Sequence, residues 1–152
     1  MAVKTKTYNL RAIQLSVGGR KIGGYGTDGG ISITWGSDLF EVAVGADGQG
    51  VASVSNDQSA MIEITVMETA KGYKDLAELQ KAQLGELQDG GAIGRMEVRM
   101  KDPINGDKIG EQYGVFVNRP EMAKAKTAGE RVFRIWCPNA GDTVEMGTGN
   151  VV

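Results

Sequence analysis

The sequence predicts a mainly β protein, an antiparallel β-sandwich or barrel that carries one α-helix. Three observations lead to this fold class. Several segments alternate apolar and polar residues with a period of two, as strands with one buried face do. The chain contains 23 Gly and only 3 Pro without a collagen repeat, which favours many turns and loops. One segment alone, at about residues 71–87, has the period of an amphipathic helix.

Alternation marks the predicted strands from the N-terminus onward. The last two strands are richer in apolar residues and are expected to be better covered by the rest of the chain. The pair Asn105-Gly106 is a strong hairpin-turn signal between two strands. Residues 18–30 and 45–58 are left as two long connections. The predicted strands span residues 13–17, 31–35, 40–44, 62–66, 96–100, 113–117 and 132–137.

The predicted helix has one apolar stripe, because its remaining positions are mostly Lys, Glu, Asp and Gln. One helix beside so many strands is expected to cover an edge or an opening of the sheet structure. Without an internal repeat or a linker, residues 1–152 are expected to form a single domain. The stripe comprises Tyr73, Leu76, Ala77, Leu79, Leu84 and Leu87.

Composition argues against several classes of protein. Hydrophobic residues make up 41% and charged residues 24%, a globular balance that excludes general disorder. The absence of His removes the commonest general base and metal ligand. The single cysteine, Cys137, excludes a disulfide framework within the chain and a zinc cluster of cysteines, and its apolar surroundings predict burial. Carboxylate and Lys chemistry stay open, but the commonest catalytic and metal-binding arrangements are absent, and we expect a non-enzymatic protein with no catalytic residue, cofactor or metal site.

Charge is segregated along the chain. Residues 1–21 carry five basic residues and no acid, whereas residues 22–70 carry seven acids and no Lys or Arg. These segments either neutralise each other within the monomer or let subunits associate head to tail. The net charge of −2 suggests no strong attraction to nucleic acid or membranes. No apolar run approaches the roughly 18 residues of a membrane span, and the N-terminus lacks a signal's apolar core. We therefore expect a protein that is made and used in the cytoplasm or is packaged there into a particle.

Three short patterns suggest binding sites, and each has a simpler explanation. Residues 24–29 match G-x-G-x-x-G, but a dinucleotide site needs a helix after this loop, and the sequence predicts a strand there. Asp47 and Asp57 are too far apart for a calcium loop and are expected to form turns. The basic segment 119–134 could bind phosphate, but a solvated loop or pairing with a neighbour's acidic segment is favoured.

The first 90 residues contain a recognisable order of motifs. It runs through Val44-Gly45-Ala46-Asp47-Gly48, a polar stretch to Ser59, Met61-Ile62-Glu63-Ile64-Thr65-Val66, Glu68-Thr69-Ala70 and a helix with Leu76 and Leu79. This order resembles the tail tube proteins of contractile-tailed bacteriophages, in which a glycine-rich loop leads to a strand and then to a single helix. A short N-terminal strand followed by a Gly-rich loop, here through Gly23-Gly24-Tyr25, is also similar.

The resemblance implies a structural subunit that forms hexameric rings, whose sheets merge around a channel and which stack into a tube for DNA passage. The implied partners are further copies of the chain and the sheath, tape-measure and baseplate proteins, in a virion tail assembled in the bacterial host cytoplasm. A long loop reaches the adjacent ring in this family, and residues 45–58 match its position. The candidate contact residues of this inter-ring loop are Gly45, Asp47, Gly48, Asn56 and Asp57.

A channel that passes DNA is expected to present acidic or neutral groups, because cationic groups would hold the phosphates. The segment 22–70 suits such a lining. Its predicted strands place Ile33, Val42 and Ile64 in the core, so that the opposite faces supply the lining or pack against a sheath. The candidate lining residues are Ser32, Thr34, Glu41, Glu63 and Thr65.

Other functions stay open at this point. The tube protein of a pyocin-like particle or of a contractile secretion system has the same fold, while a small β-barrel ligand-binding module or a carboxylate-dependent enzyme belongs to another class. A binding module stays monomeric and takes up a ligand, whereas a tube subunit forms rings or polymers at high concentration. Sheath, tape-measure and baseplate genes beside the gene would identify a tube subunit.

Overall fold

A computed structural model describes residues 9–26, 30–88, 90–91 and 94–147. The helices are α1 (Lys71–Gln88) and the short α2 (Ala140–Thr143), and a 3-10 turn spans Leu10–Ala12. In chain order the strands are β1 (Gln14–Val17), β2 (Arg20–Ile22), β3 (Ile31–Trp35), β4 (Phe40–Val44), β5 (Gly50–Val54), β6 (Ala60–Met67), β7 (Val98–Lys101), β8 (Lys108–Glu111), β9 (Val115–Phe116) and β10 (Glu130–Cys137).

The strands form three antiparallel sheets. Sheet A has the order β2-β1-β7-β8, sheet B has the order β3-β6-β10-β9, and β4 and β5 form a separate two-stranded hairpin. One hydrophobic core contains buried residues from both four-stranded sheets and from α1. The predicted fold class, mainly antiparallel β with one main helix, is therefore confirmed.

The core follows the alternation of the two longest strands. In β6 and β10 every second side chain is buried, and Ile62 is paired with Ile135 while Ile64 is paired with Phe133. Each fully buried side chain of this size stabilises the fold by about 1.5–3 kcal/mol. Cys137 is fully buried at the end of β10, as predicted, and burial raises the pKa of its thiol to about 12. The thiol therefore stays protonated and acts as a small apolar residue.

Two short strands lie where the sequence analysis placed connections or turns. Strand β2 pairs with β1 across Gly18 and Gly19, whose φ angles of 59° and 81° suit a two-residue hairpin turn. Strand β8 pairs with β7 across the predicted turn, in which Gly106 has a φ of 86°. Within residues 113–117 only β9 is regular. These hairpins complete sheet A and confirm that Asn105-Gly106 separates two strands.

Helix α1 matches its predicted position and closes an edge of sheet B. Leu76 is fully buried and Leu79 packs against the core, but Leu84 and Leu87 are exposed, so the predicted stripe is wrong at its C-terminal end. Gln83 is buried in their place. Its Nε2 donates to the Gly114 carbonyl oxygen over 2.9 Å, and its Oε1 accepts from the Phe116 amide over 2.9 Å. The side-chain amide occupies the free edge of β9, which explains why a polar residue is buried.

A buried arginine fixes the basic segment that follows β9. Arg131 is 2% exposed, its Nη2 lies 2.8 Å from Glu68 Oε2, and its Nη1 donates to the Glu121 carbonyl oxygen over 2.6 Å. The Lys124 ammonium lies 3.5 Å from the same carboxylate. A hydrogen bond from the Gly129 backbone, and then these two charges, lower the pKa of Glu68. Segment 119–134, for which the sequence favoured a solvated loop or pairing with a neighbour, thus pairs with Glu68 of the acidic segment within the monomer.

Candidate assembly interface

The hairpin β4–β5 extends the ribbon formed by β3 and β6. Trp35 is opposite Ala60 at the end of sheet B, and Phe40 is opposite Val54 at the start of the hairpin. The four residues 36–39 connect Trp35 to Phe40, and the five residues 55–59 connect Val54 to Ala60. Two backbone hydrogen bonds join these connecting segments, from the Gly36 amide to the Ser59 carbonyl oxygen and from the Ser55 amide to the Leu39 carbonyl oxygen, each over 2.9 Å. The hairpin beyond them forms a sheet of its own.

Every residue of the hairpin is exposed, including its large apolar ones. The prediction that Val42 lies in the core is wrong, since Val42 is 75% exposed. The alternation of β4 was correctly recognised, but no other described part of the chain covers its apolar side. The interpretation of residues 45–58 as one connection is also incomplete, because β5 lies within it and pairs with β4.

The two faces of the hairpin differ in character. Directly opposite residues of an antiparallel pair share a face, and the register gives one face made almost entirely of apolar groups. The other face carries Glu41, Ala43, Val51 and Ser53. Contiguous exposed apolar surface of this kind marks an interaction site. The apolar face comprises Phe40, Val42, Val44, Gly50, Ala52 and Val54.

The candidate inter-ring residues divide between the two ends of the hairpin. At the tip, the Gly45 amide donates to the Gln49 carbonyl oxygen over 2.8 Å, Asp47 Oδ1 accepts from the Gln49 amide over 3.1 Å, and Gly48 has a φ of 87°. At the base, Asn56 and Asp57 follow β5. The tip is thus a tight turn whose glycine adopts a left-handed conformation that other residues avoid.

Both aspartates act as turn-forming residues, as predicted. Asp57 Oδ1 accepts from the Ser59 hydroxyl over 2.6 Å and from the Ser59 amide over 2.9 Å. These two hydrogen bonds lower the pKa of Asp57. In the described residues no group of three or more His, Cys, Asp or Glu side chains could hold a metal ion. Asp47 and Asp57 are therefore assigned to turn structure.

Four of the five candidate lining residues share the outward face of sheet B. Ser32 on β3 is directly opposite Glu63 on β6, with Thr34 and Thr65 on the same side, whereas Glu41 lies on the hairpin. Sequence reasoning missed Arg134, which is directly opposite Glu63 on β10. Because cross-strand neighbours depend on register, no pattern within either strand could have paired them. The outward face of sheet B thus combines hydroxyl groups, the opposed Glu63 and Arg134, and the apolar side chains of Met61, Val132 and Trp136.

Side chains and loops cover most of the other sheet edges. Besides Gln83 at β9, Thr143 and Glu145 hydrogen-bond to the outer edge of β8, at Gly110 and Lys108. Along residues 9–26, 30–88 and 94–147, β3 pairs with no strand other than β6, and β4 and β5 pair only with each other. An unprotected strand edge is a template for a strand of another chain. The free edges of β3, β4 and β5 therefore lie on the same ribbon as the exposed apolar face, while in the described residues β2 pairs only with β1 and leaves a further edge on sheet A.

Sequence comparison identifies a viral structural family. The family model of the bacteriophage PhiTE tail tube protein matches residues 6–145 of the chain. A comparison with curated protein sequences gives no significant match. None of the helices in the described part of the chain is long and apolar enough to cross a membrane.

Solved structures with a similar fold come from contractile injection systems. The tube-terminating cap of the anti-feeding prophage is 9% identical, with 97% of this chain and 95% of the other covered and a TM-score of 0.59. The sheath/tube terminator of the extracellular contractile injection system PVC is 12% identical, with 97% and 100% covered and a TM-score of 0.58. A chain of the PVC sheath-tube complex is 12% identical, with 92% and 90% covered and a TM-score of 0.56. At these identities the likeness concerns the fold.

Proposed function

The chain belongs to the family of the bacteriophage PhiTE tail tube protein, and we propose that it is the repeating subunit of a tail tube. Copies associate into closed rings, six to a ring as the sequence resemblance implies, and the rings stack around a channel through which DNA passes. The subunit works by self-assembly and performs no chemistry. It resides in the virion tail and is assembled in the cytoplasm of the bacterial host.

The observation that carries this proposal is the exposed apolar face of the hairpin. Val42, Val44 and Val54 are each at least 68% exposed in the monomer. Burying apolar surface against a neighbour stabilises an assembly by about 25 cal/mol per Å², while the edges of β3, β4 and β5 offer backbone groups for pairing. A neighbouring copy can bury the apolar face and pair with the free strand edges. When the rotation between copies closes, repeated head-to-tail contacts of this kind form a ring.

Within the tube, the tip of the hairpin is assigned to the contact with the adjacent ring. Gly45, Asp47 and Gly48 lie at this tip, while Asn56 and Asp57 lie at its base, where Asp57 bonds Ser59. The β4–β5 pairing already orders this extension, so that less conformational entropy is lost on association than for an unpaired loop.

The outward face of sheet B and Glu41 are assigned to the channel wall. Replacing Glu41 and Glu63 together by Lys is expected to leave tubes able to form, since exposed substitutions usually change stability by about 0.5 kcal/mol or less and a like charge opposite Arg134 adds a cost of about 1 kcal/mol or less. The new cations would attract phosphate groups and retain DNA. Ejection assays on particles that carry the double variant should show slowed DNA release, with Glu41→Gln and Glu63→Gln as the control that removes charge without reversing it. Parental release from the Lys variant would exclude these residues from the wall.

The proposed partners are further copies of the chain together with sheath, tape-measure and baseplate proteins. DNA passes without specific binding. A second candidate is the tube of an extracellular contractile injection system or pyocin-like particle, which the likeness to the anti-feeding prophage cap and PVC chains favours. Detection of DNA inside isolated particles distinguishes the phage tail from this alternative.

Self-association of the purified chain tests the proposed function. Sedimentation over a concentration series should reveal ring-sized or larger species, and electron microscopy should show rings or tubes. A chain that stays monomeric at the highest attainable concentration, and that takes up a small ligand, would instead be a binding module.

A further inference from the structure

The outward face of sheet A carries a group of basic side chains. Lys101 on β7 lies directly opposite Lys108 on β8, and Ser16 on β1 lies between Lys21 on β2 and Arg99 on β7. All four cations are exposed. We refer to Lys21, Arg99, Lys101 and Lys108 as the basic face.

The basic face is concave. It lines a shallow groove of about 780 Å³. The floor is formed by strands β1, β7 and β8, and one wall is formed along the edge of β8 by Thr143, the last residue of α2, and by Glu145. A groove between a sheet surface and a raised chain segment can receive an extended or helical protein segment.

The charges of the basic face are only partly neutralised within the chain. Arg99 is paired with Glu97, and the Lys108 ammonium lies 4.0 Å from the Glu145 carboxylate. Within the described residues no ion pair involves Lys21 or Lys101. By contrast, Arg20, next to Lys21, is held by Glu78 and Asp75 of α1. Excess positive charge is therefore concentrated on the sheet surface.

The arrangement of two of these lysines is unfavourable in the isolated chain. Like charges directly opposite each other on neighbouring strands destabilise a sheet, and Lys101 and Lys108 occupy such positions. An anionic group placed between them would remove the repulsion. The pairing thus indicates a surface whose charges are completed by a partner.

The positive charge of the basic face favours a position outside the channel of the tube. A cationic wall would hold the phosphates of passing DNA, whereas the outward face of sheet B opposes Glu63 with Arg134 and residues 22–70 contain no Lys or Arg. We infer that the basic face lies on the outside of the tube and is the docking surface for an acidic segment of the surrounding sheath protein. This inference rests on the proposed function. A structurally similar chain belongs to a sheath-tube complex, which makes a sheath the natural occupant.

The inference is tested with a fluorescein-labelled peptide of alternating Glu and Gly, used as a stand-in for an acidic segment. Fluorescence anisotropy should show binding to the whole chain that weakens as salt is added, because exposed charges are screened. The double variant Lys21→Glu and Lys101→Glu should raise the Kd about tenfold or more, since two attractions become repulsions. The control is Lys81→Glu with Lys126→Glu, which makes the same charge change at exposed positions outside the groove and should keep the parental Kd.

Three results would overturn the inference. The first is that the peptide does not bind the parental chain. The second is that both double variants lose binding equally. The third is that a short duplex DNA binds the basic face more tightly than the peptide, which would make the face a nucleic-acid surface. Electron microscopy of the same samples separates this outcome from the proposed function. Tubes without peptide binding contradict the docking surface alone, whereas a parental chain that forms no rings or tubes contradicts the tube itself.

Discussion

Replacing Val42 by Asp should abolish assembly and leave the subunit folded. Val42 is 75% exposed in the centre of the hairpin's apolar face. An Asp there costs the monomer about 0.5 kcal/mol or less. In the assembled ring the carboxylate would be buried against an apolar neighbour, at a cost of several kcal/mol. Each 1.4 kcal/mol weakens association about tenfold, so an effect of at least about 100-fold is expected.

The matched control is Met122→Asp. Met122 is also 75% exposed but lies outside the hairpin. Sedimentation velocity should show assembly of the parent and the Met122 variant and a monomer for the Val42 variant, while circular dichroism melts of all three, recorded at a concentration too low for assembly, agree closely. Assembly of the Val42 variant at the parental concentration would show that the apolar face is not an interface. A loss of folding in that variant would show that β4 belongs to the core after all.

Truncating Phe133 to Ala should cause the largest loss of stability in the isolated subunit. Phe133 is fully buried between the sheets, with its ring centroid 6.1 Å from that of Tyr73 and 6.0 Å from that of Phe116. Its removal leaves a cavity among side chains from α1, β9 and β10, which typically costs about 3–5 kcal/mol. Denaturant unfolding followed by circular dichroism measures this loss as a lower midpoint.

Trp136→Ala on the same strand is the control for that substitution. Trp136 points to the opposite side of β10 and is 41% exposed, so less apolar surface returns to water when it is truncated. The account predicts a clearly smaller shift of the midpoint than for Phe133. Equal shifts would mean that the core does not lie between β10 and sheet A.

The parts of the fold that were predicted from sequence are those where one local pattern determines the structure. Alternation located β3, β4, β6 and β10, and the helical period located α1. Strand β5 escaped because Gly50–Val54 is built largely from small residues and becomes a strand through its pairing with β4. Gln83 and Arg131 escaped because a polar side chain is buried only where partners distant in sequence satisfy it.

Alternation also shows why Val42 was misplaced. A period of two shows that β4 has an apolar face, but it does not show what covers that face. Here no residue in the described part of the chain covers it. The charge pairs of the surface were equally inaccessible, since the juxtaposition of Glu63 with Arg134 or of Lys101 with Lys108 depends on strand register. The candidate site thus emerged from pairing and exposure together.

The most direct test of the account is a cryo-electron microscopy reconstruction of the purified chain at high concentration. We predict closed rings stacked into a tube, with the apolar face of β4–β5, including Phe40 and Val42, buried against neighbouring copies and the basic face of sheet A on the outside. Isolated monomers, or a tube in which the hairpin contacts no neighbour, would contradict the claim that this hairpin builds the assembly.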